Sequence, residues 1–381
     1  MKLLVNATCI VSGELTGIER FALRISEELY HIDRTVKIVS TKPVSGIPFL
    51  GISWPLGLAK KWLGTREYFI RAVWDQIFFR YHAIKSNYDL VFFPIQDGLF
   101  FPPLKQIVTV HDLHYLHFEK SMLECRDEIS PLRTNLYQIK MPHVLRYSSA
   151  VVTVSESTKR DIVTFFGICP DKIHVIYNGY DEQRFRIIEN PQPVLDRFGM
   201  QLGEYFLFVG SILRHKNLTR FVQAFALLDS KVKLVISGVS KDVDYLHEIR
   251  KAAADFRVSD DRIRYLEYVS DEDLPYLYNG AIAFMLPSLH EGFGVPIIEA
   301  MACGTPVITS NCSAMPEVAG DAALLVDPYS VENIAAAMKE ILYNPQRAEA
   351  LREAGLERAK MFKWSYSAQK LYNLCRSVSE S

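Results

Sequence analysis

The sequence lacks long hydrophobic runs, a surplus of charge of one sign, and internal repeats. Its 381 residues contain no apolar stretch of about 18 residues, so a membrane-spanning helix is not expected. The 43 Lys and Arg residues nearly balance the 44 Asp and Glu residues, giving a net charge of −1. Such a chain has no general field for polyanions, and we expect no nucleic-acid partner.

Cysteine spacing typical of a metal site is also missing. The six cysteines are scattered, without a Cys-x-x-Cys pair, and we interpret them as reduced, mostly buried thiols. The apolar run at the N-terminus is too short for a secretion signal. These features together predict a cytoplasmic protein.

What the sequence does contain is an alternation of short Val-, Ile- and Phe-rich runs with helical patterns. This alternation is typical of parallel α/β domains, and the length of the chain corresponds to two or three domains. Predicted strands are Lys2–Ala7, Val36–Ser40, Asp89–Pro94, Gln106–His111, Ala150–Val154, Ile173–Tyr177, Tyr205–Gly210, Lys233–Ser237, Ile263–Tyr268, Ala281–Leu286, Pro306–Ser310 and Ala323–Val326.

The strands form two series, separated by a segment that has proline residues and no apolar periodicity. This segment, Asp181–Pro193, is our predicted linker. We assign residues 1–185 to a first domain and residues 186–363 to a second. Domain closure about the linker would expel water from a cleft between the domains.

The most informative stretch is a strand, a glycine-bearing loop and a helix start in direct succession. The strand ends at Leu286, the loop carries Gly292 and Gly294, and the helix begins near Val295. Backbone amides and the helix dipole favour a phosphate at such an N-terminus, and the glycines allow close backbone approach. The pattern therefore predicts a diphosphate site.

Two carboxylates flank this loop. Glu291 precedes the loop, and Glu299 follows about one turn into the helix, a position suited to the hydroxyls of a ribose. The alternative is that Glu291 is an ordinary loop acid and Glu299 a solvated helix residue.

The full residue pattern of the segment Pro287–Ile308 distinguishes these interpretations. It reads Pro-Ser-x-x-Glu-Gly-Phe-Gly-x-Pro-x-x-Glu-Ala-Met-Ala-Cys-Gly-x-Pro-Val-Ile, which closely resembles the donor-site signature of retaining glycosyltransferase family 4. The resemblance continues through Ser313–Ala323 and Val326–Pro328. It implies the GT-B fold, in which two Rossmann-like, doubly wound parallel-sheet domains face a central cleft, with the helix at about 364–381 packed back on the first domain.

The same resemblance implies roles for the residues of the signature. Glu291 would hold hydroxyls of the donor sugar, and Glu299 would hold the ribose of the nucleotide. The backbone amides around Phe293, Gly294 and Val295 would meet sugar and phosphate.

A second segment of the resemblance, Gly210–Asn217, contains the basic residues expected at the diphosphate. The implied donor-binding residues are Ser211, Arg214 and Lys216. The two cations would stabilise the negative charge of the leaving diphosphate. Similar proteins often place Arg directly before the Lys, whereas His215 occupies that position here. Solvated charges in front of a helix are the alternative.

The first half carries weaker motifs of the same family. His111 ends a strand at the edge where open α/β sheets bind ligands, and the resemblance places it beside the donor sugar, with Asp112 orienting its ring. Gly17, after the first strand, corresponds to a glycine loop over the phosphates. It stands alone where many relatives have two glycines, so a simple turn residue is the alternative.

Acidic clusters elsewhere are interpreted as helix starts. Asp242-Val243-Asp244 and Asp271-Glu272-Asp273 each precede a helical pattern, where acidic side chains are favourable. We expect no cofactor and no catalytic metal.

Residues 54–81 are both aromatic and basic. Core packing in the first domain is one interpretation, and a peripheral membrane contact with a lipid-linked acceptor is the other. The second interpretation would place the protein at the inner face of the membrane.

The sequence thus predicts a retaining, metal-independent transfer of a hexose from a nucleotide-sugar donor to a glycan or lipid-linked acceptor in polysaccharide biosynthesis. A UDP-sugar such as UDP-glucose is favoured slightly over GDP-mannose. Alternatives that keep the fold are a sugar-nucleotide epimerase, a phosphorylase or a non-catalytic nucleotide-sugar sensor.

Overall fold

The computed structural model describes residues 1–10, 16–40, 47–51, 74–118, 131–240 and 242–381. The chain forms two compact units. The first comprises Met1–Leu113, Pro131–Asn178 and Trp364–Ser381. The second comprises Gly179–Lys363 and, among the described residues, 114–118. The predicted boundary after residue 185 therefore lies inside the second unit.

The first unit is built on a 7-stranded parallel sheet with the order β3-β2-β1-β4-β5-β6-β7. Its central strands are continuous apolar runs that are buried on both faces, as parallel strands between helices must be. The strands are β1 Leu3–Asn6, β2 Lys37–Ser40, β3 Phe49–Gly51, β4 Leu90–Phe93, β5 Lys105–Val110, β6 Ala150–Thr153 and β7 Ile173–Val175.

Helices of the first unit begin and end at the residues that cap them. Thr16 and Glu19 form a capping box at the start of α1, and Ser155 accepts a hydrogen bond from the Thr158 amide at the start of α4. Gly167 ends α4 in the left-handed conformation. The helices are α1 Gly17–Ile32, α2 Arg80–Lys85 after a π-helical turn Asp75–Phe79, α3 Pro131–Tyr147 and α4 Glu156–Phe166.

The second unit contains a 6-stranded parallel sheet with the order β10-β9-β8-β11-β12-β13. Its strands are β8 Tyr205–Val209, β9 Lys233–Ser237, β10 Ile263–Leu266, β11 Ala283–Leu286, β12 Val307–Ser310 and β13 Leu324–Val326. Its helices are α5 Gln192–Leu195, α6 Leu218–Ala226, α7 Val243–Asp255, α8 Leu274–Gly280, α9 Val295–Ala302, α10 Met315–Ala319, α11 Val331–Tyr343 and α12 Pro345–Ala359.

The last helix of the chain, α13 Trp364–Glu380, belongs to the first unit and packs on α1. Trp364 meets the ring of Phe21 with centroids 5.8 Å apart, and the Tyr372 hydroxyl donates to Asp33 at 2.8 Å. Within the described chain, no helix has both the length and the hydropathy to cross a bilayer. The described cysteines are free thiols.

Every predicted strand is present, with ends that differ by at most two residues, and the predicted α/β fold with two parallel sheets is confirmed. The strand that sequence reasoning missed is β3. It has only 3 residues, follows Pro48 and includes Gly51, so it gives no apolar run long enough to recognise.

Candidate functional site

The strand order of the second sheet reverses between β8 and β11: β9 and β10 follow on one side, and β12 and β13 on the other. The loops that follow β8 and β11 meet at this switch point. The Leu289 amide of one loop donates to the His215 carbonyl of the other at 2.7 Å. Asn217 strengthens the junction, because its side-chain amide donates to the carbonyls of Pro287 at 3.0 Å and Pro328 at 2.7 Å. Open α/β sheets bind ligands at such a switch point, beyond the carboxyl ends of the strands.

An ion pair lies at this junction. Lys216 Nζ donates to Glu291 Oε1 at 2.6 Å, and the Ser288 hydroxyl donates to the same oxygen at 2.6 Å. The side chains of Lys216 and Glu291 are 16% and 12% exposed, so water screens the pair only weakly. The structure thus brings together two of the residues predicted from separate motifs.

The ionised form of Glu291 is stabilised by these neighbours. Burial alone would raise the pKa of Glu291, but the charges of Lys216 and His215 oppose this effect. Hydrogen bonds from Lys216 and Ser288 lower the pKa further, so that it lies below its ordinary value. Glu291 is therefore a carboxylate with strong acceptor capacity.

Helix α9 begins directly after this loop. Gly294 caps it in the left-handed conformation, with φ 94°, and Val295 and Pro296 form its first turn. The first amides of a helix have no partner within the helix, and the dipole there favours an anion. The ring of Phe293 is buried against Phe362, with centroids 5.7 Å apart, so Phe293 can offer a ligand only its backbone.

Glu299 lies in the second turn of α9 and is buried. Its Oε2 accepts a hydrogen bond from the Tyr278 hydroxyl of α8 at 3.2 Å. Nearby, burial raises the pKa of Cys303, and the negative charge of Glu299 adds to this effect. Glu299 is therefore positioned by Tyr278 and is not the solvated helix residue of the alternative interpretation.

Arg214 occupies a different setting from Lys216. Its guanidinium binds Glu248 through two hydrogen bonds of 2.8 and 2.9 Å, and its Nε lies 3.2 Å from Asp242. It also covers the ring of Tyr245 at 5.1 Å. These contacts tie Arg214 to helix α7. Ser211, in the same loop, is exposed.

The acidic clusters lie at helix starts, as predicted. Asp242 caps α7 by accepting a hydrogen bond from the Tyr245 amide at 2.9 Å. Asp271 pairs with Arg184 at 3.0 Å, and Asp273, immediately before α8, pairs with Arg197.

His111 lies in the first unit, directly after β5, and is buried. Its Nε2 donates to the Pro94 carbonyl at 2.8 Å, and its ring meets Phe21 edge to face at 4.8 Å. Burial lowers the pKa of His111, while the Pro94 bond and the charge of Asp112 oppose the shift. The ring is thus held by Pro94 and Phe21. The neutral imidazole keeps Nδ1 as an acceptor.

Gly17 is the first residue of α1, where a Cβ would meet no atom within 4 Å. Gly17 therefore begins a helix and does not stand in a turn, and its phosphate role stays a prediction. Residue 15, the first of the predicted glycine loop at 15–20, lies outside the described residues. The aromatic and basic segment at 54–81 is likewise described only from residue 74 onward.

Two family models match the chain. The model for glycosyl transferases group 1 matches residues 201–358, and the model for glycosyltransferase family 4 matches residues 15–184. The chain is 31% identical to O-antigen chain mannosyltransferase B of Escherichia coli over 71% of its own length and 69% of that protein. The chain is a group 1 glycosyltransferase of family 4.

Two further relatives of this glycosyltransferase align with different fractions of its length. D-inositol 3-phosphate glycosyltransferase of Corynebacterium aurimucosum is 26% identical over 95% of the chain and 91% of that protein. The mannosyltransferase WbdA of Escherichia coli is 26% identical over 70% of the chain, which spans only 32% of WbdA.

Solved structures share the fold of the glycosyltransferase across nearly the whole chain. Sucrose-phosphate synthase from Thermosynechococcus elongatus has a TM-score of 0.78 at 19% identity, covering 99% of both chains. Anabaena HepE in complex with UDP-glucose has a TM-score of 0.75 at 18% identity, covering 99% of this chain and 100% of the other. The fold is GT-B, as predicted.

Sequence reasoning missed several residues that shape the site of this glycosyltransferase. The hydroxyl of Ser313 donates to the Glu291 carbonyl at 2.6 Å and accepts from the Glu291 amide at 3.2 Å. Both Ser313 and Asn217 adopt positive φ, at 56° and 62°. A left-handed residue without a neighbouring glycine leaves little signal in a sequence.

Two histidine pairs beside the ion pair were also missed. The rings of His114 and His215 have centroids 5.2 Å apart, and those of His117 and His290 lie 4.4 Å apart. All four belong to the second unit. Their contacts join distant parts of the sequence, so spacing alone could not reveal them.

Proposed function

We propose that this glycosyltransferase transfers a hexose from a nucleoside diphosphate sugar to a hydroxyl of a growing glycan, with retention of anomeric configuration and without a catalytic metal. The observation that carries the proposal is the Lys216–Glu291 ion pair at the switch point of the second sheet, directly before the N-terminus of α9. It supplies a cation for a diphosphate and a carboxylate for sugar hydroxyls.

The ion pair also suggests how donor binding changes the site. A diphosphate would compete with Glu291 for the Lys216 ammonium, because both are anions. The displaced carboxylate would then accept hydrogen bonds from the donor sugar. Glu299, held by Tyr278, would accept hydrogen bonds from the ribose.

The chemistry in this proposal is a front-side displacement. The bond from the anomeric carbon to the diphosphate oxygen breaks, and the acceptor oxygen forms the new bond on the same face. The proton of the acceptor hydroxyl passes to the departing phosphate oxygen. Lys216 and the helix dipole of α9 stabilise the growing negative charge, and one such donor is typically worth about 3 kcal/mol.

We place a mannosyl donor ahead of a glucosyl donor. Proteins named as mannosyltransferases, including O-antigen chain mannosyltransferases of Escherichia coli and Salmonella typhimurium, support this order. They also support O-antigen-like polysaccharide as the acceptor class. The alternative is UDP-glucose, the ligand of the HepE complex, although that likeness of 18% identity concerns the fold alone.

Thermal-shift measurements with GDP, UDP, ADP and their sugars test the donor, followed by turnover with the stabilising sugar. We expect GDP and GDP-mannose to raise the melting temperature, and Lys216→Ala to lower turnover about a hundredfold. Lys251→Ala, at an exposed position on α7, is the matched control. Stabilisation by UDP alone would select the glucosyl alternative, and stabilisation by none of the nucleotides would reject the site.

Reaction stereochemistry and metal dependence are tested on the same preparation. The anomeric proton of the product, followed by NMR, should show the configuration of the donor. Turnover should persist after chelation with EDTA. An inverted product or a loss of turnover that Mg²⁺ restores would contradict these parts of the proposal.

A further inference from the structure

A cavity of 310 Å³ lies along the free edge of the first sheet. Strand β7 stands at the end of the strand order and, among the described strands, pairs with β6. The cavity is lined by residues 173–176 of β7 and its end, by Lys159 of α4, and by Lys370 and Leu374 of α13. We call it the edge cavity. These residues all belong to the first unit, whereas the donor signature lies in the second.

The charged side chains that line the edge cavity are cations. They are Lys159 and Lys370, and His174 adds an imidazole. The Lys159 ammonium is held in place, because its Nζ donates to the Ile173 carbonyl at 2.8 Å. An ammonium has three donors, so this hydrogen bond leaves two for a ligand. Of the described residues that line the cavity, none is acidic, and the local field therefore favours an anion.

The edge strand itself contributes a backbone donor. The Ile176 amide donates to the Thr153 carbonyl of β6 at 2.8 Å. Because the backbone groups of a strand alternate between its two sides, the Val175 amide, one residue earlier, faces the free edge. Val175 also lines the edge cavity. Ammonium groups and backbone amides are both donors to oxyanions, and here they surround one space.

The imidazole of His174 is sensitive to the charge in the edge cavity. Burial lowers the pKa of His174, and the positive charge of Lys159 lowers it further. An anion beside Lys159 would oppose the second effect and favour the imidazolium. The imidazolium would then be a further donor to the same anion.

The size of the edge cavity indicates that the anion carries an organic body. Pockets for small organic ligands start at about 300 Å³, which is more than an inorganic oxyanion fills. The remaining lining is aliphatic, with Ile173 and Ile176 buried and Leu374 half-buried. Such side chains suit the C–H groups of a sugar ring, because contact removes apolar surface of both from water.

We propose that the edge cavity binds a small sugar that carries an oxyanion, either a phosphate or a carboxylate. Lys159, Lys370, His174 and the Val175 amide would hold the oxyanion, and the aliphatic side chains would contact the ring. Since the ligand would touch α4, β7 and α13 together, binding would stabilise the attachment of α13 to the first unit. The inference rests on the first unit alone and not on the proposed reaction.

Isothermal titration calorimetry of the full-length protein at one fixed ionic strength tests this proposal. The ligands are glucose 6-phosphate and glucuronate, with glucose and inorganic phosphate as references, because each reference lacks one part of the proposed ligand. We expect the anionic sugars to bind at least about tenfold more tightly than either reference. The tighter of the two anionic sugars identifies the oxyanion.

Two variants test whether the ligand occupies the edge cavity. Lys370→Glu, at an exposed position of α13, should weaken binding of the tighter anionic sugar by about tenfold or more, because it reverses one charge. Lys159→Met should weaken it in the same way. In the unmodified protein, an NMR titration should show that the ligand raises the pKa of His174.

The matched control is Arg160→Glu, which is next to Lys159 on α4, is exposed and does not line the edge cavity. It changes the net charge as much as Lys370→Glu does, and it should bind the ligand like the unmodified protein. Binding of glucose or inorganic phosphate as tight as that of the anionic sugars, no binding, or unchanged affinity in Lys370→Glu would overturn the proposal.

Failure of the proposed reaction is distinguishable from failure of this inference. Lys216→Ala alters the donor site in the second unit and should bind the anionic sugar like the unmodified protein. Loss of binding in Lys216→Ala would assign the ligand to the donor site and overturn the inference. A protein that binds no nucleotide but keeps binding that depends on Lys370 would retain the edge cavity and lose the proposed donor site.

Discussion

Glu291 is ionised against the cost of burial, and this links the stability of the site to pH. Its pKa is lower in the folded chain than in the unfolded chain, where a Glu titrates at about 4.3. The stabilisation is therefore fully present above that value and is lost as the pH falls through the folded pKa.

Glu291→Gln should remove this dependence. We expect the free energy of unfolding of the unmodified protein to fall more steeply from pH 6 to pH 3 than that of the variant, as measured by urea unfolding at each pH. Glu357→Gln, at an exposed helix position, is the control and should follow the unmodified protein. Parallel curves for Glu291→Gln and the unmodified protein would contradict the assigned ion pair.

Ser313 combines a strained backbone with two hydrogen bonds to the Glu291 backbone, and two substitutions separate these features. Ser313→Ala loses the hydroxyl and keeps the strain, so we expect a loss of about 1–3 kcal/mol. Ser313→Gly also loses the hydroxyl but relieves about 1 kcal/mol of left-handed strain, so it should be the more stable variant.

Both variants should lower turnover more than nucleotide affinity, because Glu291 rather than the nucleotide loses its support. Differential scanning calorimetry gives the order of stabilities, and steady-state kinetics with nucleotide titrations gives the second comparison. If Ser313→Gly keeps full turnover, Ser313 does not position Glu291.

At the residue scale, the sequence predicts which side chains belong to the candidate site better than it predicts which side chains pair with one another. Lys216 and Glu291 were proposed from separate motifs, and the fold brings them to 2.6 Å. The two carboxylates that hold Arg214 were not foreseen. Asp242 caps α7 and Glu248 lies on it, and only the packing of that helix beside the loop after β8 decides which charges meet.

Among the elements of the second unit, the loops after β8 and β9 approach closely at two glycines. A Cβ on Gly238 would lie 1.9 Å from the Gly210 carbonyl oxygen, so one backbone would have to move. Gly210 begins the loop that carries Arg214 and Lys216. The absence of a side chain at Gly238 therefore allows the close approach of the loop that carries Arg214 and Lys216, although Gly238 lies outside the family signature.

Gly238→Ala should cost about 1–3 kcal/mol of stability and weaken nucleotide binding about tenfold. Calorimetry and nucleotide titration measure the two effects. Gly17→Ala is the matched control, because a Cβ there meets nothing within 4 Å. Gly17→Ala should leave stability within about 0.5 kcal/mol. A loss of nucleotide affinity in Gly17→Ala would instead support the predicted phosphate role of Gly17.

The elements themselves were largely predictable, for a physical reason. Strands buried on both faces need continuous apolar runs, and these are visible without any knowledge of the fold. Serine residues such as Ser155 and Ser330 stand at helix starts, because the unpaired amides there need side-chain acceptors. Strand β3 shows neither signal, because it is a short strand at the edge of the first sheet.

For the whole molecule, the two-sheet architecture followed from the serial order of the strands, but the composition of each unit did not. After an earlier excursion that includes 114–118, the chain passes into the second unit again at Gly179. It returns to the first unit at Trp364, so the first unit is completed only by its last helix. A return of this kind depends on contacts between residues such as Tyr372 and Asp33, which no local pattern encodes.

The first unit should therefore depend on α13 for its stability. Leu371 is fully buried in this helix, and its truncation in Leu371→Ala should cost about 2–5 kcal/mol. Gln369→Ala, two residues earlier and exposed, should change stability by less than about 0.5 kcal/mol. Calorimetry should show the loss in the transition of the first unit, while nucleotide binding shifts the transition of the second in all three proteins. An unchanged melting profile for Leu371→Ala would mean that α13 is an appendage and not part of the core.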